Sequence, residues 1–113
     1  MPRQTEAKRR AHNIYVIELD KTVLDDKKFR DANPQYVKGK PCVYVGMTGR
    51  TPAERFEQHK SGYKAARIAK KYGVRLKPRL FDRFNPMTYE EACSKEIWRA
   101  RTLRRKGYGV WQN

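Results

Sequence analysis

Val43-Tyr44-Val45-Gly46-Met47-Thr48-Gly49-Arg50-Thr51-Pro52-Ala53-Glu54-Arg55-Phe56-Glu57-Gln58-His59 reads as a strand, a glycine loop and a capped helix in immediate succession. The run Pro41 to Gly46 is short, β-branched and aromatic, as a largely buried strand is. Gly46 to Arg50 is a loop. Thr51 is a helix cap, Pro52 suits the first helical position, and Glu54 completes a capping box. The helix is expected to run to about Ser61-Gly62.

On the N-terminal side, Asn13-Ile14-Tyr15-Val16-Ile17-Glu18-Leu19 has the composition of a strand buried on both faces near its middle. Residues 21–32 read as helical, with Val23, Leu24 and Phe29 as the apolar positions and Asn33-Pro34 as the stop. Lys38 to Lys40 form a polar turn. On the C-terminal side, Tyr63 to Tyr72 reads as a second helical stretch ending at Gly73. Residues 74–84 are interrupted by Pro78, so part of them is expected as an edge strand. The last helix opens at Thr88, where Glu91 makes another capping box, and closes before Gly107. Residues 108–113 read as a short tail. This order implies an α+β fold, a small central, mainly antiparallel three-stranded sheet flanked by helices.

The 113 residues make one domain with a modest core. Lys and Arg number 27 against 12 acids, a formal charge of +15, which points to a polyanionic partner, nucleic acid before all others. No segment is long and apolar enough to span a membrane, which sets a membrane partner aside. Residues 1–12 read as a basic flexible arm without the hydrophobic stretch of a secretory signal, and a cytoplasmic, intracellular location is expected. In that reducing setting Cys42 and Cys93 are free thiols, and neither has the neighbours of a structural zinc site.

Within the last helix, at ~100° per residue, Ala92, Leu103, Glu96, Tyr89, Ala100, Cys93 and Ile97 fall in one arc, with Lys95, Trp98, Arg99 and Thr102 outside it. A carboxylate on that face needs a protein cation, a metal ion or a proton as partner. Arg55 and His59 are four apart and share one helix face, where an arginine fork suits a phosphate and a histidine can relay a proton. Taken singly these are also the marks of a solvated surface pair and of an ordinary salt bridge. Tyr44 and Gly46 likewise serve any strand and turn.

Taken together, Tyr44-Val45-Gly46, then Thr48, Arg55 and His59, then Glu96 with Ala92 four residues before it, resemble the GIY-YIG nuclease superfamily. Asn13-Ile14-Tyr15 is similar to the first half of that motif, with Asn13 where the family has glycine, and the resemblance covers residues 13–113. Tyr15 and Tyr44 stand 29 positions apart, which implies an inserted segment at about residues 20–40, as in restriction-type members. Asn113 takes the place of the family's late asparagine. The resemblance implies a metal-dependent DNA endonuclease that hydrolyses phosphodiester bonds. Tyr15, Tyr44, Arg55, His59 and Glu96 are its catalytic residues, and Glu96 holds one divalent ion, Mg²⁺ or Mn²⁺. Gly46, Thr48, Arg50, Lys60 and Asn113 contact DNA. A homodimer on DNA is compatible with a site that cuts one strand at a time. The alternative is a non-catalytic basic nucleic-acid-binding protein using Trp98, Trp111 and the lysines for stacking and phosphate contact.

Binding that rests on charge is expected to fall steeply with salt, with a slope of roughly −0.9 per phosphate contacted on duplex DNA. Deleting residues 1–11, which carry Arg3, Lys8, Arg9 and Arg10, weakens binding at moderate salt and leaves turnover at saturating DNA nearly unchanged. A titration of affinity against salt, beside a turnover assay, checks both; loss of turnover with unchanged affinity would place the arm in the active site.

Overall fold

The computed structural model describes residues 10–112. Four strands build its sheet: β1 (Asn13–Leu19), β2 (Cys42–Thr48), β3 (Gly73–Leu76) and β4 (Gly109–Gln112). Their order is β3-β1-β2-β4, with β1 antiparallel to both neighbours and β4 parallel to β2. Four helices accompany it: α1 (Lys27–Asp31), α2 (Pro52–Ser61), α3 (Arg67–Tyr72) and α4 (Tyr89–Arg105).

The α+β class agrees with the sequence, but the three-stranded, mainly antiparallel sheet does not. The tail contributes a fourth strand, and its parallel pairing makes the sheet mixed. A parallel neighbour requires a crossover connection. Here α4 supplies its last leg, and Gly107, at φ +89°, turns the chain back into β4. Two further differences have local causes. Residues 21–32 divide into a 3₁₀ turn at Lys21–Asp25 and the short α1, because Asp20 caps the first and Asp26 starts the second by accepting from the Phe29 N–H. The stretch from Tyr63 is helical only from Arg67, since Gly62 and Lys64 both take positive φ, +92° and +44°.

Both capping boxes form: Thr51 with Glu54 opens α2 and Thr88 with Glu91 opens α4. The antiparallel register sets Tyr15 opposite Gly46, Ile17 opposite Tyr44 and Leu19 opposite Cys42. Since side chains alternate along a strand, these share one sheet face with α2, which lays His59 against the Tyr15 and Tyr44 rings. Ile14, Val16, Val45 and Met47 point to the other face, where α4 packs with Cys93 Sγ 3.6 Å from Met47 Sδ. The aliphatic residues of β1 and the valines of β2 are buried on both faces.

The basic arm falls largely on residues 1–9, outside the described residues. The chain is already tied down before β1, for His12 and Met87 exchange two backbone hydrogen bonds of 2.9 and 2.7 Å. Cys42 and Cys93 are free thiols. No helix among the described residues is long and apolar enough to cross a membrane.

The segment between β1 and β2 is fastened by Asn33, which is 4 % exposed. Its amide donates to the Phe29 carbonyl at 2.8 Å and the Val110 carbonyl at 3.0 Å, and its oxygen accepts the Val110 N–H at 2.8 Å. Truncation would orphan buried backbone groups, each costing about 1–3 kcal/mol. Asn33→Ala is therefore expected to lower stability by about 2 kcal/mol or more; urea denaturation measures it, and an unchanged midpoint would mean that water replaces the side chain.

Candidate active site

Tyr15 projects from β1 across the position of Gly46 on β2. A Cβ built on Gly46 would stand 2.6 Å from Tyr15 Oη and 2.7 Å from its Cζ, so the phenol occupies space that only glycine leaves open. The Tyr15 hydroxyl lies 2.8 Å from His59 Nε2. Tyr44 completes the cluster, its ring edge-on to His59 with centroids 5.3 Å apart and tilted against Tyr15 at 6.1 Å. Tyr15 and His59 are buried, at 1 % and 0 % exposure.

The proton on His59 is fixed by its other nitrogen. The Ala66 backbone N–H donates to Nδ1 at 3.2 Å, so Nδ1 is the bare nitrogen of a neutral ring. Nε2 then carries the hydrogen and donates it to Tyr15 Oη. Burial, aided by the nearby Arg55 charge, lowers the His59 pKa from 6.5 to about 4. His59 is thus a neutral donor to Tyr15 at physiological pH, not the proton acceptor that a relay through it would need. Burial pushes the Tyr15 hydroxyl well up from its ordinary range, and Tyr44 adds to this while Arg55 opposes it.

Arg55 sits one turn before His59 on α2. Its guanidinium donates to Gln58 Oε1 at 3.2 Å and to the Tyr63 and Lys64 carbonyls at 3.2 and 2.8 Å. Three of its five donors are thus engaged and two remain for a ligand. The same side chain lines an open cleft of about 540 Å³ with Thr48, Gly49, Arg50, Gln58, Tyr63 and Lys64. The lining holds three cations and no acid, which suits an anion. Asn13 ties β1 to this rim by donating to the Arg50 carbonyl at 2.9 Å.

The remaining candidates lie elsewhere. Lys60 caps the end of α3, its ammonium 2.9 and 2.8 Å from the Lys70 and Gly73 carbonyls, away from the cleft lining. Asn113 falls outside the described residues. Glu96 is half-buried on α4, where the buried stripe is Ala92, Arg99, Ala100 and Leu103. Tyr89 and Ile97, read as inward, are exposed, and Arg99, read as outward, is buried. Glu96 accepts from Gln112 Nε2 at 3.4 Å, and Gln112 stands opposite Val45 on β2. That is the sheet face of Met47. The structure therefore gathers Tyr15, Tyr44, His59 and Arg55, and holds Glu96 across β2 without a hydrogen bond to them.

Glu96 forms no ion pair among the described residues. Burial raises its pKa, with the Gln112 hydrogen bond acting the other way. A half-buried carboxylate without a cation, in so basic a chain, is the donor an ion such as Mg²⁺ accepts, because that ion is held by one or two carboxylates plus water and phosphate. No cluster of three or more metal-capable side chains occurs among the described residues. A single-carboxylate site fits, and a cage made by the protein alone does not.

Sequence reasoning missed Gln58, Tyr63 and Lys64 on the cleft and Ala66 behind His59. The one signal available was Gly62, whose left-handed turn swings residues 63–66 back over α2. Comparison with known proteins places the chain nowhere: no family model, no curated protein and no solved structure matches it.

His59 gives the domain a definite response to acid. The unfolded ring binds a proton near pH ~6.5, whereas the folded ring refuses it until about 4. Between those values the unfolded state holds more protons, so its share of stability is intact above pH ~6.5 and falls by up to about 1.4 kcal/mol per unit towards 4. The His59 ring resonances are expected to stay flat from pH 8 to 5, and His59→Gln to flatten the stability slope below 6.5. A His59 titration near 6.5 would contradict the buried donor role.

Proposed function

We propose that the protein is a metal-dependent DNA endonuclease of the GIY-YIG type, which hydrolyses phosphodiester bonds. The observation that supports this most is the buried Tyr15–His59 hydrogen bond beside Arg55, whose guanidinium also lines an all-cationic cleft. A surface designed only to attract polyanions has no need of a phenol held at 0–1 % exposure against a neutral imidazole.

In this reading the two uncommitted Arg55 donors take oxygens of the scissile phosphate and offset the charge that builds there in the transition state. Arg50 and Lys64 hold flanking phosphates on the cleft rim. The His59 Nε2–H occupies one lone pair of Tyr15 Oη and stabilises any negative charge that oxygen acquires. The second lone pair orients the attacking water, whose oxygen bonds to phosphorus as the bond to the 3′ oxygen breaks. Tyr15 takes up the water's proton only as the phenolate, after its own proton has gone to solvent, and so only as far as the nearby positive charge draws its hydroxyl down from the raised value that burial gives it. Glu96 is the residue that would hold a divalent ion, Mg²⁺ or Mn²⁺, which when bound polarises the phosphate and stabilises the leaving oxygen.

A second reading, a non-catalytic basic nucleic-acid-binding protein, is favoured by one observation: Glu96 shares no hydrogen bond with the Tyr15 cluster and stands across β2 from it. Plasmid cleavage with Mg²⁺ and an EDTA control separates the two. The nuclease reading expects Glu96→Gln to abolish cleavage while keeping DNA affinity equal or slightly higher, since one negative charge near a polyanion is removed. Tyr15→Phe is expected to cut turnover ~100-fold or more with little change in binding. Full activity of Glu96→Gln in Mg²⁺ would reduce the glutamate to a structural role, and a wild-type protein that binds but never cuts would establish the binding module.

A further inference from the structure

Around Trp98 on α4 and Phe84 in the 3₁₀ turn Asp82–Phe84 stands a second group of cations that the cleft does not use. Phe84 and Trp98 meet edge to face with centroids 5.5 Å apart and ring planes at 82°. Lys95 Nζ lies 4.7 Å from each ring centroid, Arg83 Cζ 4.4 Å over Phe84, and Arg99 Cζ 5.2 Å over Trp98. Trp98 keeps 41 % of its surface exposed, while Arg99 beside it is 5 % exposed and has a buried Nε with no hydrogen-bond partner. Among the described residues, none of Arg83, Lys95 and Arg99 is ion-paired with a carboxylate. The rings line one end of an open groove of about 770 Å³, whose other end holds Glu90 and the Arg10–Glu91 ion pair.

A core has no use for three unpaired cations around two half-open aromatic rings. Nucleic acid offers both things that such a surface lacks, a phosphate for the cations and a flat π-face for the indole. We propose that Phe84 and Trp98, with Arg83, Lys95 and Arg99, form a stacking platform for an unpaired base of a nucleic-acid strand. Lys95 is the movable part: its flexible stem swings from the ring to the adjacent phosphate as the base takes its place. Arg99 is the fixed part, packed beneath the indole and stiffening it. In a duplex the base faces are already stacked on one another, so the platform selects single-stranded or frayed segments. It lies on the helix that packs against the sheet face opposite α2, so it engages a part of the substrate other than the phosphate at Arg55. The proposal concerns binding and stands apart from whether the protein cuts.

The experiment uses the full chain in a Trp111→Phe background. The sequence holds two tryptophans, and Trp111 lies against Phe29 with centroids 6.5 Å apart, so Trp98 then becomes the only indole signal. A 12-nucleotide pyrimidine single strand is titrated against a blunt duplex of the same length at fixed salt. Strong quenching of Trp98 by the single strand, little by the duplex, and a roughly tenfold or greater loss of single-strand affinity in Trp98→Ala support the platform. Trp98→Phe, which keeps a stacking face and the fold, is expected to retain most of that affinity, and Lys95→Ala to reduce the salt dependence of single-strand binding. Equal losses on both ligands in Trp98→Ala, or unchanged single-strand affinity, would overturn it. So would self-association of the parent that Trp98→Ala abolishes, which would make this face a contact between copies.

Discussion

The structure turns on one steric bargain, the phenol of Tyr15 lying across a strand position that has no side chain. Opposite residues of an antiparallel pair point to the same face, so a bulky ring on β1 must contend with whatever β2 presents there. Glycine at position 46 lets the ring lie flat to the sheet and brings Oη to His59. From that contact the rest of the site follows. His59 is held on α2 by the capping box one turn and a half earlier, Ala66 fixes its tautomer, and Arg55 secures the loop that delivers Ala66. Any side chain at 46 would displace the ring, and with it the hydrogen bond from His59 that joins the middle of β1 to α2.

The charge of the chain is distributed unevenly in kind as well as in space. Some cations are spent inside the fold: Lys60 caps a helix end, Arg104 donates to the Val110 carbonyl, and Arg67 pairs with Asp26 at 2.8 Å. Others face open space in two groups, one on the cleft at Arg50, Arg55 and Lys64, the other around Phe84 and Trp98. Among the described carboxylates, Glu96 combines half-burial with a long amide contact and no ion pair. Glu18, Asp26, Asp31, Glu54 and Glu91 are ion-paired, so burial without such a partner is what distinguishes Glu96 physically.

What sequence revealed and what it hid divide along the line between local and distant causes. Thr51-Pro52-Ala53-Glu54 and Thr88 with Glu91 fix two helix starts by hydrogen bonds spanning three residues, and both form. The composition of 13–19 and 41–46 is enough to make strands, though the second runs on to Thr48, where a loop is expected. The fourth strand was illegible because Gly109–Gln112 is four residues long and acquires its partner only through the turn at Gly107. Lys60 looked like a phosphate ligand because nothing local reveals that the Lys70 and Gly73 carbonyls come to meet it. Arg99 fell outside the apolar arc of α4, yet Trp98 and Thr102 give its guanidinium a place inside. Tyr15 and His59 stand together in the sequence only as members of the catalytic set that the resemblance implies; that His59 acts as donor to Tyr15 depends on Ala66, which carries no side-chain signal at all.

Asn33 has a consequence for the order in which the chain can settle while it is being made. Three of its hydrogen bonds reach Phe29, four residues back, and Val110, 77 residues ahead. Chains are synthesised from the N-terminus and contacts between distant residues form late. The segment around α1 therefore emerges long before the strand that completes its hydrogen bonds, and β2 must wait with one edge unpaired for the same strand. A growing chain carries an open sheet edge and a half-anchored β1–β2 connection throughout synthesis of α2, α3 and α4. Closure of the domain is thus a single late event, set by the release of residues 109–112, and not a gradual accretion of finished parts.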